Sequence, residues 1–323
     1  MLDRYGRVIN YLRISVTDRC NLRCCYCMPE GVQDVGMKNI LTFEEIWEIV
    51  RTGVSLGITH IRITGGEPLV RKGCVNLIRG IREIPGVETI TMTTNGVLLG
   101  NYAKQLKEAG VDGVNISLDT LDPEEFFKIT GKRELQEVLA GIRAAKTAGL
   151  PGKLNAVNRK ELDPIPLVRY AQEENLPIRF IEMMPVGYGK KYVGRSNEEL
   201  RETLEAVCGN AECMTNREEL SRMGSGPAVY YQFSDLKVPV GFISAIHGKF
   251  CDTCNRVRLT AEGYLKLCLC YDEGEDLRRV LREGEKENLR TIMEQTIFRK
   301  PAAHCFEHPA EMTETHEMVK IGG

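Results

Sequence analysis

The sequence has little of what marks a nucleic-acid, membrane or secreted protein. Its formal net charge is −2 over 323 residues, so no whole-chain basic field draws in a polyanion, and anion recognition must come from locally placed arginines and lysines. It holds a single tryptophan, Trp47, and no basic patch interleaved with aromatics, which argues against a nucleic-acid interface. The longest apolar stretch, residues 238–246, is far too short to span a bilayer. Residues 1–10 already carry Asp3, Arg4 and Arg7, unlike a secretory leader. A cytoplasmic protein with no membrane partner and no nucleic-acid partner is predicted. There is also no Gly-x4-Gly-Lys-Ser/Thr loop, so a triphosphate would need basic side chains converging from several elements.

Against these absences stand twelve cysteines, many for a compartment where disulfides do not persist. They are crowded: Cys20, Cys24, Cys25 and Cys27 at one end, Cys251, Cys254, Cys268 and Cys270 at the other. Metal ligation accounts for that crowding better than stapling does. The hydrophobic and charged fractions, 42% and 27%, predict an ordinary packed core around whatever the cysteines hold.

The first 185 residues alternate strand-like and helix-like patterns. Apolar runs at 11–16, 58–63, 88–92, 113–118, 153–157 and 178–181 read as strands. Thr42 and Glu45 form a capping-box pattern, followed by Ile46, Ile49, Val50 and Val54 at helical spacing; 101–109 and 135–148 look similar. Six such units predict an α/β fold, a partial (β/α)6 TIM-like barrel, with reactive groups at the C-terminal strand ends. Residues 185–197 read as a crossover loop, 198–206 as a helix, 230–232 and 241–245 as strands, and 273–296 as helical. The expected division is a barrel over 1–220 and a region over 221–323 that carries the second cysteine group and closes the barrel mouth.

Cys20, Cys24 and Cys27 are spaced Cys-x3-Cys-x2-Cys, with Cys25 out of register. An iron–sulfur cubane normally takes four thiolates, so three on one loop would leave one iron open. A zinc loop is the alternative, although zinc sites favour paired cysteines and a fourth ligand. Cys251, Cys254 and Cys268 give Cys-x2-Cys-x13-Cys, and Cys270 would close that site if it were a fourth ligand. Arg256 and Arg258, alternating beside it, suit a phosphate or purine edge; a strand with two surface arginines is the plainer alternative. His60, His247 and His304 lack metal-ligand spacing.

The first cysteine loop, with Tyr26 before its last cysteine, resembles that of the radical S-adenosylmethionine superfamily, and Gly65-Gly66-Glu67-Pro68 is similar to that superfamily's second motif. Over nearly the whole chain the sequence resembles the molybdenum-cofactor biosynthesis protein A family, the GTP 3′,8-cyclases. The stretches that carry this are 17–21 (Thr-Asp-Arg-Cys-Asn), 62–68, 93–96, 115–119, 179–182, 254–260 and the closing Lys320-Ile-Gly-Gly323.

The resemblance implies two 4Fe–4S clusters, on Cys20, Cys24 and Cys27 and on Cys251, Cys254 and Cys268. It implies an S-adenosylmethionine pocket lined by Tyr26, Gly66, Glu67, Ser117 and Met184, with Met183 as the alternative to Met184. GTP would meet Arg13, Arg62, Thr93, Lys153, Arg256, Val257 and Arg258, and Arg256, Arg258, Gly322 and Gly323 would take part in catalysis. One departure is the 158–163 loop, shorter than the family usually has. The implied reaction is a 5′-deoxyadenosyl radical taking hydrogen from C3′ of GTP, with the carbon radical adding to C8. Implied partners are a flavodoxin- or ferredoxin-type reductant, a downstream cyclic pyranopterin monophosphate synthase and a second copy in a homodimer. Two rival readings stay open: a peptide-modifying radical enzyme, which would carry a peptide-binding module and more auxiliary cysteines, and a non-enzymatic zinc or nucleic-acid-binding protein.

Overall fold

The computed structural model describes residues 1–31, 35–192, 194–224 and 226–322. Six strands alternate with helices in the first part of the chain: β1 (Tyr11–Ser15), β2 (His60–Thr64), β3 (Thr89–Thr94), β4 (Gly113–Ser117), β5 (Gly152–Asn158) and β6 (Ile178–Glu182). The helices between them are α1 (Phe43–Ser55), α2 (Cys74–Arg82), α3 (Leu99–Glu108), α4 (Pro123–Thr130), α5 (Leu135–Thr147) and α6 (Ile165–Glu174). Then come α7 (Asn197–Cys208), β7 (Ala211–Cys213), α8 (Arg217–Arg222), β8 (Val229–Phe233) and β9 (Val240–Ile243). The remainder is β10 (Arg256–Leu259), β11 (Tyr264–Lys266), β12 (Gly274–Asp276), α9 (Leu277–Arg282) and α10 (Leu289–Phe298).

All twelve strands share one sheet, in the order β12-β11-β10-β1-β2-β3-β4-β5-β6-β9-β8-β7. β10 and β9 pair in parallel with the outer strands of the predicted six, β1 and β6, so the parallel run is eight strands long. β11, β12, β8 and β7 extend it antiparallel on either flank. Among the described residues β9 and β10 do not pair, and the barrel stays open along that side. No described helix is long and apolar enough to cross a membrane.

The outward face of the parallel sheet is the core. Leu12, Ile14, Ile61, Ile63, Ile90, Met92, Val114, Ile116, Leu154, Ala156, Ile178, Val257 and Leu259 are buried there against the helices. Parallel strands covered by helices need such a face, and the period of two leaves the alternate residues pointing into the barrel. The predicted capping box is present: Thr42 accepts from the Glu45 N–H and Glu45 from the Thr42 N–H. The predicted helix over 273–296 is instead β12, α9 and α10, with Gly284 at φ 87° between the two helices.

Thr42→Ala removes one side of the capping box and is expected to lower the stability of the metal-free chain by about 1 kcal/mol. Urea denaturation should show a lower midpoint at unchanged slope; an unchanged midpoint would deny the cap its stabilising role.

Candidate active site

The inward face of the sheet is basic. Strand register sets Arg13 opposite both Arg258 on β10 and Arg62 on β2. Further round, Asn115 faces Lys153, and Asn155 faces Arg179. Arg179 Nε donates to Asn155 Oδ1 at 2.9 Å, and its Nη2 donates to Asn115 Oδ1. Gly241, opposite Arg179, makes room for it: a Cβ there would lie 2.9 Å from Arg179 Cγ and 2.7 Å from the Tyr230 ring.

These cations repel one another in a water-poor space. Burial, with Arg258 and Arg62 close by, holds Arg13 well below the usual guanidinium range. Burial and Arg256 bring Arg258 down to about 10, and burial with Arg179 and Arg62 brings Lys153 to about 8. Among the described residues no carboxylate lies within ion-pair distance of Arg62, Lys153, Arg179 or Arg256. Lys266 is the contrast. It continues the same row on β11 opposite Arg258, but its ammonium is paired with the buried Glu314 carboxylate. The Thr93 hydroxyl is buried and, among the described residues, has no hydrogen-bond partner. A cationic lumen with an unused hydroxyl suits a polyanionic ligand.

The first cysteine group follows β1 at its C-terminal end. Gly66 N–H donates to Thr17 O at 2.7 Å and Glu67 N–H to Arg19 O at 2.8 Å, locking the Gly-Gly-Glu-Pro turn to the start of the cysteine loop. The glycine at 66 is forced by that approach, since a Cβ would meet Arg19 O at 2.4 Å. The Glu67 carboxylate is fully buried and accepts from the Thr94 hydroxyl and the Asn95 and Leu69 N–H groups, binding the ends of β2 and β3. Burial pushes it up to about 7. Tyr26 donates to Asp119 Oδ2 at 2.7 Å, and Asp119 Oδ1 accepts from Val157 N–H at 2.8 Å. Ser117 is exposed at the end of β4. Burial and mutual repulsion raise the thiols of Cys24 and Cys27, the latter to about 12. Cys25 points elsewhere, accepting from Arg159 Nη1 at 3.5 Å.

The second group lies at the other end of the strands. Cys251 and Cys254 precede β10, whose first residue pairs with Tyr11, the first of β1. Asn255 O accepts from Tyr11 N–H, and Cys251 O from Arg7 Nη1 at 2.8 Å. The barrel reading stands, but the reactive groups do not all gather at one mouth: the arginines of β10, β1 and β2 run between the two cysteine groups. Burial opposes ionisation of Cys254, yet Lys300 and Arg256 hold its thiol at about 7. Cys270 is turned away, with its Sγ 2.9 Å from Cys305 Sγ, so it is not a fourth donor here.

Both groups are therefore sets of three. Among the described residues neither brings its three sulfur atoms all within 4.8 Å of one another, whereas a zinc ion with Zn–S bonds of about 2.3 Å would hold its thiolates about 4 Å apart. The donor sets fit clusters with one open iron each.

The C-terminal tail joins the two regions. The Val319 main chain lies near the Cys27 thiol and opposes the rise in its pKa, and Gly322 O accepts from Thr64 Oγ1 at 3.2 Å and Arg258 Nη1 at 3.3 Å. Gly322 sits at φ 88°, where only glycine is unstrained. Gly323 lies outside the described residues. Val257 is fully buried in the helix-side core, so any ligand contact it makes in the lumen comes from its main chain. Met184 is half-buried and packs against the apolar cluster of Val186, Leu269, Cys270, Cys305, Phe306 and Ile321. Met183 is buried against Gly189 and Gly194.

The family profile described as the Radical SAM superfamily matches residues 14–163, and that described as Molybdenum Cofactor Synthesis C matches 176–306. A GTP 3′,8-cyclase of Clostridium perfringens is 42% identical over 330 residues, covering 100% of both chains. The chain belongs to the GTP 3′,8-cyclase family. A GTP 3′,8-cyclase of Petrotoga mobilis is 43% identical over 328 residues, again covering 100% of each. Among solved structures, SuiB of Streptococcus suis bound to S-adenosylmethionine superposes with a TM-score of 0.66 at 15% identity, covering 97% of this chain and 77% of that one. That likeness shows the shared fold. The first profile spans the Cys20–Cys27 loop and the second spans Cys251, Cys254 and Cys268.

Reading the sequence pointed to Asp119 and Asn155 only as residues at the strand ends, and missed Arg179, Asn115 and Lys300. All but Lys300 lie inside stretches or strands already recognised. Counting in twos along parallel strands from Arg13 and Lys153 would have put Arg179 in the lumen.

Lys153 yields a pH test. Its folded value near 8 lies below the ordinary 10.5, so the charged ammonium weakens the free fold as pH falls through that window, and a bound anion reverses this. Tripolyphosphate binding at about pH 9 is expected to take up protons, up to about one. Calorimetry in buffers of different ionisation enthalpy measures the uptake, and Lys153→Met should abolish it. Binding without uptake by the parent chain would contradict the assignment.

Proposed function

We propose that this chain cyclises GTP to (8S)-3′,8-cyclo-7,8-dihydroguanosine 5′-triphosphate, the first step of molybdenum cofactor biosynthesis. The observation that carries the reading is a cationic lumen, short of carboxylates, running between two three-cysteine groups. Membership of the GTP 3′,8-cyclase family supports it independently.

Cys20, Cys24 and Cys27 would hold one 4Fe–4S cluster, and Cys251, Cys254 and Cys268 the other. When bound, S-adenosylmethionine and the first cluster supply a 5′-deoxyadenosyl radical. The chain binds and orients around that chemistry. Gly66, Tyr26 and Ser117 border the first site, which Met184 would reach from the loop after β6, while Glu67 and Asp119 act from behind as positioning residues, fixing strand ends and the Tyr26 ring. The triphosphate is neutralised by Arg13, Arg62, Lys153 and Arg179, with the Thr93 hydroxyl as a further donor. Arg256 and Arg258 would stand between the phosphates and the second cluster, whose open iron would supply a binding position for the guanine. Holding both ends of the nucleotide leaves the ribose between them, so that C3′ is presented to the radical source without a search. The tail, seated on Cys27, Thr64 and Arg258, excludes water from that end of the lumen.

The finer parts of the reading are a barrel unit over 1–220 with a GTP-binding unit over 221–323, and a cytoplasmic location. They also include a flavodoxin- or ferredoxin-type reductant, a homodimer, and transfer of product to cyclic pyranopterin monophosphate synthase.

Anaerobic reconstitution with iron and sulfide, followed by S-adenosylmethionine, a strong reductant and GTP, should yield 5′-deoxyadenosine and a cyclised dihydro-GTP by mass spectrometry. 5′-Deoxyadenosine without GTP conversion would refute the substrate. Cys268→Ala is expected to keep cofactor cleavage and lose cyclised product, and normal product yield from that variant would sink the role of the second group. Arg179→Ala should weaken GTP binding at least tenfold, as loss of a charge-assisted clamp does, while cofactor cleavage without GTP is unchanged. Equilibrium dialysis checks the first part.

A further inference from the structure

Lys300 follows α10 and is 3% exposed. A buried ammonium needs an anion nearby, because a charge removed from water without a partner is strongly unfavourable. Among the described residues no carboxylate lies within ion-pair distance of it. Its Nζ donates to Leu267 O, the carbonyl immediately before Cys268, and its charge acts on the thiols of both Cys251 and Cys254.

The segment that follows is tied to the same place. Cys251 Sγ accepts from His304 N–H at 3.5 Å. Arg7 spans the gap, donating to Cys251 O at 2.8 Å, Ala302 O at 2.7 Å and Pro301 O at 2.6 Å. Arg7 is itself held by the buried Asp3 at 2.6 Å. Asp3 therefore neutralises Arg7, and nothing comparable neutralises Lys300. Among the described residues the anions that the fold brings to Lys300 are the thiolates of the second cysteine trio, most fully when it carries metal.

We propose that Lys300 is the built-in counter-cation of the second cluster, a positioning residue that favours its assembly and raises its reduction potential. The proposal rests on the reading that Cys251, Cys254 and Cys268 hold a cluster. A positive charge beside an iron–sulfur centre favours the reduced, more negative form. In the metal-free chain the same charge meets only the Leu267 carbonyl and the cysteine thiols, with no carboxylate beside it among the described residues.

The test compares the full chain with Lys300→Met and Lys300→Arg, each reconstituted anaerobically. Redox titration followed by electron paramagnetic resonance would track the component that GTP perturbs. Lys300→Met should move that component to more negative potential and lower iron occupancy, while Lys300→Arg stays near the parent. The metal-free Lys300→Met chain should melt at a higher temperature than the metal-free parent, which a packing role would not produce. A potential unchanged in Lys300→Met, or equal losses in both variants together with a lower metal-free melting temperature, would overturn the proposal. A parent chain that binds only about four irons rather than about eight would instead refute the two-cluster reading, and the role of Lys300 would fall with it.

Discussion

Positive charge, buried at Arg179 and half-buried at Arg62, Lys153 and Arg256, with no matching carboxylates among the described residues, is the constraint on which this structure turns. Arg62, Lys153, Arg179 and Arg256 face a lumen in which the described residues offer them no acid. Each such charge disfavours folding by an amount on the order of kilocalories per mole. The fold tolerates this because the opposite face of the same strands is an uninterrupted apolar layer. What remains is relieved by neutral dipoles, as where Asn115 and Asn155 take the Arg179 guanidinium. Gly241 belongs to the same solution, since any side chain there would displace Arg179 or Tyr230. The unrelieved charge is the signature of a site completed by its ligand.

The two cysteine groups sit in opposite electrostatic surroundings. The first is half-buried, with Asp119, Glu67 and Glu317 acting on its thiols, and these stay protonated in the absence of metal. The second has Lys300 and Arg256 beside it, and Cys254 ionises near neutrality. Thiolates are the ligating form, so metal loading at the first group releases more protons than at the second. The C-terminal tail couples the ends of the lumen, reaching Cys27 through Val319 and Arg258 through Gly322.

The barrel was legible in the sequence because parallel strands covered by helices read as short apolar runs with helical spacing between them. All six predicted strands are present, with ends shifted by a residue or two. β9 was anticipated as a strand and β10 only as one of two readings of Arg256 and Arg258, yet both join the barrel sheet. Two short strands late in the chain carry no local mark of which partner they pair with. The cysteine triplets, Arg13, Arg62, Lys153 and Arg258 were named in advance from motif and resemblance, and the structure brings the basic residues to one surface. That the two triplets lie at opposite ends of the strands was not legible, because spacing within each triplet says nothing of the direction in which β10 runs. Lys300 was hidden for a similar reason: a lysine after a helix is ordinarily solvated, and only the fold shows that this one is buried.

The most direct measurement is a crystal structure of the anaerobically reconstituted chain with S-adenosylmethionine and GTP bound. The account predicts the triphosphate among Arg13, Arg62, Lys153 and Arg179, the guanine toward Cys251, Cys254 and Cys268, and the ribose between the two cysteine groups. A triphosphate seated outside the lumen, with Arg62 and Arg179 paired instead to protein carboxylates, would contradict it.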